Sequence, residues 1–195
     1  MQVTQRFDRG AATLRGAATL IATLALLLAP GMASAQDFQS RFVADFERMR
    51  TNVLAMVDSM PASGLRSAPT EEVRDFAEQI EHVAIGNVNL IASGVDADRI
   101  DLGVDPDVYL NDKDELRNFV NVAFDRVREM LTEMSEEDYL AEGQLFGRIA
   151  TPKWRIVQAA YEHGIWTLGS TVPYVRLNGG VPHSYNIVPS GGSTM

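Results

Sequence analysis

TPKWRIVQAAYEHGIWTLGSTVPYVRLNGGVPHSY, residues 151–185, begins like a helix and ends like a stopped one. Thr151 suits an N-cap and Pro152 the first helical position, where a missing N–H costs nothing. Val157, Tyr161, Ile165, Leu168, Val172 and Val175 then recur at spacings of three and four, the stripe of an amphipathic helix. Pro173 has no N–H for the carbonyl of Gly169, so the spacing predicts a kink there. Asn178-Gly179-Gly180 ends the segment, and Pro182 prevents its resumption. Residues i and i+4 share a helix face, which pairs His163 with Thr167. A histidine there can form half of a metal pair, and the place of the other half on that face is held by Thr167.

Three further helices lie upstream. Phe38, Phe42, Phe46, Met49, Val53, Met56 and Met60 make the first stripe, closed by Pro61. The second is expected to open at Thr70, with Glu71 and Glu72 favoured by the helix dipole. Its stripe is Val73, Phe76, Ile80, Val83, Asn87 and Ile91, and Gly94 is its expected terminator. Asp112 with Glu115 starts a third, carrying Leu116, Phe119, Ala123, Val127, Met130 and Met134. The acidic, proline-containing segment 96–111 reads as a long crossover with little regular structure. Ser135-Glu136-Glu137-Asp138 opens a turn or a single helical turn, and 144–151 reads as loop. The sum is an all-α four-helix bundle with a long crossover connection.

Residues 1–35 carry Arg6, Arg9 and Arg15, an apolar run from Ala17 to Ala29, and the small-residue pattern Ala33-Ser34-Ala35. That is the layout of an export signal cleaved before Gln36, and the run is short for a membrane anchor. The expected domain is 36–189, with a Gly/Ser-rich tail at 190–195. Losing the signal removes three arginines and one aspartate and takes the net charge from −9 to −11. Such an acidic chain is a poor nucleic-acid binder. With the signal gone, nothing else reads as a membrane segment. The chain has no cysteine, which leaves neither disulfides nor thiolate ligands, so the core alone must hold the domain.

The histidines are His82, His163 and His183. His82 lies at the edge of the second stripe, with Glu78 four residues before it and Gly86 four after it. One reading brings His82 and His163 together across two helices to bind a divalent metal. The other makes them hydrogen-bonded interfacial histidines. Glu78 is the best candidate for a further ligand, since Glu162 points about 100° away from His163 around its helix. Trp154 and Trp166 lie off the main stripe and are expected to pack. The hydroxyls of Tyr161 and Tyr174 are expected in the bundle interior near His163. The spaced methionines read as core filler.

Three pieces, VRDFAEQIEHVA at 73–84, LFGR at 145–148 and His163 through Pro182, together resemble the DinB-like metal-dependent four-helix bundle proteins over about residues 38–189. The resemblance implies a metal site formed by a histidine late in the second helix and two histidines one turn apart on the fourth. His82 matches the first and His163 the second, but the third place falls on Thr167. Ser170 stands where glutamine or asparagine is common, and His183 replaces a second proline after Pro182. A neutral hydroxyl is a poor zinc or nickel ligand, so the implied site is weakened or lost. The resemblance also implies that some relatives activate a low-molecular-weight thiol for transfer, and that such bundles can pair as homodimers. The expectation is an exported, periplasmic or extracellular bundle, with a degenerate pocket for a small molecule or a weakly held zinc or nickel ion. The enzymatic alternative is a metal-dependent transferase or hydrolase using His82, His163 and Glu78.

Overall fold

The computed structural model describes residues 35–94 and 99–187, with side chains from residue 38 onward. The expected signal and the 190–195 tail therefore lie outside the described residues, apart from Ala35 at the signal's last position. The first long helix, α1 (Ala35–Ser59), is followed by a 3-10 turn at Ala62–Gly64. Next come α2 (Phe76–Gly94), the short α3 (Pro106–Tyr109), α4 (Lys113–Glu133) and the short α5 (Glu136–Leu140). A hairpin of β1 (Glu142–Leu145) and β2 (Ile149–Pro152) leads into α6 (Lys153–Ser170) and α7 (Val172–Leu177). The main contacts run from α1 to α4, α4 to α2, α2 to α6 and α6 back to α1. The four long helices thus form a closed ring around one core, in which α1 and α2 face each other across the middle.

The stripes expected from spacing fill that core. Met49 and Val53 of α1, Met60 just beyond its end, Ile80 and Val83 of α2, and Leu116, Ala123 and Val127 of α4 are fully buried. Asp112 caps α4 as expected, its carboxylate accepting from the backbone N–H groups of Asp114 and Glu115. Pro173 does more than kink the last helix. α6 ends at Ser170 and α7 starts at Val172 around it. At the far end Gly180 N–H donates to Val175 O and Gly179 N–H to Arg176 O, with Gly179 at φ 77°, a left-handed Schellman stop that glycine adopts without strain.

Four expectations are corrected. α2 opens at Phe76 rather than Thr70, because Asp75 and Glu78 cap each other reciprocally: Glu78 N–H donates to Asp75 Oδ1 at 2.9 Å and Asp75 N–H to Glu78 Oε2 at 3.0 Å. The preceding loop takes the next orphan donors, Phe76 N–H to Ser67 O and Ala77 N–H to Leu65 O. Val73 consequently lies outside the helix and is exposed. The crossover is not featureless: Asp105 caps α3, and Tyr109 stacks on Phe119 at 4.1 Å while its hydroxyl donates to Glu81 at 2.6 Å. Residues 144–151 are a hairpin and not a loop, with Glu142 opposite Pro152 and Leu145 opposite Ile149. Phe146 and Gly147, both at positive φ, turn it. Thr151 is therefore a strand residue, and α6 begins one position later than expected, with Pro152 as its N-cap.

Candidate functional site

Packing of α2 against α6 brings the two histidines expected to meet into contact. The imidazole rings of His82 and His163 lie 5.0 Å apart, edge to face at 82°. Gly86, one turn beyond His82, makes room for the second ring: a Cβ there would stand 3.0 Å from His163 Cε1 and 3.4 Å from Nδ1. His163 Nδ1 is buried with no hydrogen-bond partner among the described residues. Burial, then the positive charge of Arg74, then for His82 the neighbouring His163, hold both imidazoles below their ordinary range. Both are therefore neutral at pH 7, the form that ligates metals or accepts hydrogen bonds.

One turn beyond His163, Thr167 is 7% exposed on the inner side of α6. Ser170 Oγ donates to the carbonyl of Thr167 and caps the end of the helix. Glu78 stands as the N3 partner of Asp75, and its other oxygen is 3.4 Å from Arg66 Nη2. Joining the imidazoles would oblige it to leave both. A catalytic zinc site takes three protein ligands. Two imidazoles and a hydroxyl do not fit that requirement, and among the described residues no group of three or more His, Cys, Asp or Glu is placed to hold a metal ion.

Beneath the pair the seam is tight. A Cβ on Gly164 would lie 2.6 Å from Met49 Sδ and 3.0 Å from Asn87 Oδ1. Asn87 itself is fully buried and donates to Met49 Sδ at 3.1 Å. The tyrosine hydroxyls go elsewhere than expected. Tyr174 donates to Arg74 O at 3.0 Å and accepts from Gln79, whereas Tyr161 takes a hydrogen bond from Arg48 of α1. Trp154 packs as expected, its ring stacked 6.1 Å from Phe38. Trp166 does not: it is 83% exposed, with the outer face of α6 uncovered there among the described residues.

Sequence reasoning did not single out the other side of α6. There a cavity of about 290 Å³ is lined by Asn52, Met56, Ile165, Leu168, Gly169, Val172, His183 and Tyr185. Asn52 is 1% exposed, and it ties down the extended segment 181–187 by accepting from Asn186 N–H at 2.6 Å and donating to Asn186 O at 3.3 Å. The available signal was a polar residue one turn before Met56 on the flank of the first stripe.

A ring of four long helices with an imidazole pair across one seam defines a mostly helical bundle. The DinB superfamily model matches residues 45–166, and the chain belongs to that superfamily. In fold it is similar to a DinB-like protein of Bacillus subtilis, with a TM-score of 0.59 at 18% identity over 75% of this chain and 98% of that one. It is equally similar to a DinB-like protein of Bacillus cereus, with a TM-score of 0.59 at 14% identity over 78% and 98%. No curated protein matches the sequence.

Proposed function

We propose that this DinB-superfamily chain is an exported protein whose α2–α6 seam is a degenerate metal pocket, non-catalytic or weakly metal-binding. The observation that carries the reading is the pairing of His82 and His163 at 5.0 Å beside a buried Thr167. Two neutral imidazoles offer an ion a foothold, and the hydroxyl at the third corner adds little. Export rests on the basic, apolar and Ala-Ser-Ala pattern of residues 1–35. No helix among the described residues is long and apolar enough to cross a membrane. The pocket would then serve to hold a small molecule or to sample zinc or nickel weakly, in a chain that can pair as a homodimer.

The second reading is a divalent-metal-dependent transferase acting on a thiol, or a hydrolase. It is favoured by the unpartnered His163 Nδ1 and by the neutrality of both rings. It requires Glu78 to exchange its capping role for ligation. Elemental analysis of tag-free protein from its native compartment separates the two. Zinc, nickel and manganese well below one per chain are expected; one firmly held ion per chain, lost in His82→Gln, would favour the enzyme. Size-exclusion chromatography with light scattering tests the pairing.

A further inference from the structure

The cavity on the far flank of α6 has nothing to do with the imidazole pair. Successive residues turn by about 100°, which sets Ile165, Leu168, Gly169 and Val172 roughly opposite His163, Trp166 and Ser170 around the axis. Neither His82 nor His163 lines it. We propose that it is a second binding site, for a neutral apolar small molecule with a body of one to two rings.

Three observations carry the assignment. The first is capacity. About 290 Å³ is roughly twice an apolar cavity of ~150 Å³ that stays dry and admits benzene, and it approaches the lower range of ligand pockets, about 300 Å³.

The second is chemistry. Met56, Ile165, Leu168 and Val172 supply apolar walls, and of the lining polar side chains Asn52 and Tyr185 are already engaged, which leaves the His183 imidazole as the one polar handle among the described lining residues. The Asn52 amide donates to Arg48 O at 2.8 Å and exchanges hydrogen bonds with Asn186. The Tyr185 hydroxyl meets Tyr161 at 3.3 Å, and burial together with that contact pushes it up to about 12, so it is un-ionised. No Asp, Glu, Lys or Arg lines the space. A charged ligand would lose its hydration with only the His183 imidazole to meet it, whereas a neutral apolar one only leaves water.

The third is Gly169. Glycine is disfavoured in helices relative to alanine, and Gly86 and Gly164 answer that with close contacts that need them. A Cβ on Gly169 would meet nothing within 4 Å. Gly169 is exposed and no packing contact requires a glycine there, so it lies on the open side of the cavity it lines. The segment 181–187, tied by Asn186 and Tyr185, forms the remaining wall.

The neutral dye N-phenyl-1-naphthylamine, titrated by fluorescence into the full chain, tests the site. Saturable binding at one dye per chain is expected. Gly169→Phe, which sets a large side chain on the open side of the cavity where a Cβ meets nothing, should weaken binding at least tenfold with a circular-dichroism melting point no lower than that of the wild type. Gly169→Leu carries the same test should the phenylalanine lower that point. His82→Gln, on the opposite flank, should leave affinity within twofold. Absence of saturable binding overturns the proposal. So does undiminished binding by the filled variants, which would put the dye on an exposed group such as Trp166. Dye binding that follows His82 instead of Gly169 overturns the separateness of the two sites.

Discussion

The two flanks of α6 use one helix in opposite ways. At the imidazole seam it is pressed close: a Cβ on Gly86 of α2 would stand 3.0 Å from the His163 ring, and one on Gly164 would stand 2.6 Å from Met49 Sδ of α1 and 3.0 Å from Asn87 Oδ1, while His163 Nδ1 and Asn87 Oδ1 have no partner among the described residues. On its other side, beside Asn52 and Met56, it stands off across a cavity closed by an extended segment that is tied to Asn52 through Asn186. Close packing with unsatisfied polar atoms is an expensive arrangement, since each such buried group costs about 1–3 kcal/mol. Loose packing with satisfied atoms costs contacts but strands nothing. The imidazole seam is built around particular atoms and the cavity side around a space.

Substituting the glycines is the strongest way to break that contrast. Gly164→Ala should destabilise the protein by about 1–3 kcal/mol, since Met49 and Asn87 must both move, and thermal melting reads this directly. Acid should act on the same flank. Both imidazoles are held low in the folded chain, so the unfolded chain binds more protons and stability rises with pH. Their contribution is complete above the ordinary imidazole value near 6.5 and is lost as pH falls through the lowered folded values. Urea unfolding between pH 7.5 and 5 should show a decline, shallower in His82→Gln, and an equal slope in the variant would remove the pair from the account. On the open flank Gly169→Ala should stabilise by up to about 1 kcal/mol, because it gains helix propensity and meets no obstacle. A loss of stability there would mean that the space is not free. The smallest effect is expected at Gly86→Ala, a few tenths of a kcal/mol, since the ring it meets can tilt while the helix gains propensity. The His163 ring resonances should nevertheless shift in an NMR spectrum.

Much of this architecture was readable in the order of residues. The stripes of α1, α2 and α4 became the core because helical period and burial are the same constraint seen twice. The His82–His163 encounter also followed, once α2 and α6 were set side by side. Local competition was harder to read. Thr70 with Glu71 and Glu72 is a good helix start, yet Asp75 with Glu78 is a better one because both partners are satisfied and the loop supplies Ser67 and Leu65 carbonyls. The hairpin escaped because 144–151 reads as loop: each strand is only four residues long, too short to show a period, and Gly147 marks no more than the turn between them. The cavity side was illegible for a different reason. The reach of residues 181–187 back to Asn52 is a contact over 134 positions made by a segment with no period, and nothing local announces it.

The central claim is that the α2–α6 seam holds two of three donors and lacks the third at Thr167. Calorimetric titration of zinc into metal-stripped wild type and Thr167→His, both checked for fold by circular dichroism, measures it most directly. The account predicts weak binding by the wild type and a gain of at least tenfold, about 1.4 kcal/mol, in the variant, abolished again by His82→Gln. Equal affinity in wild type and Thr167→His would contradict it.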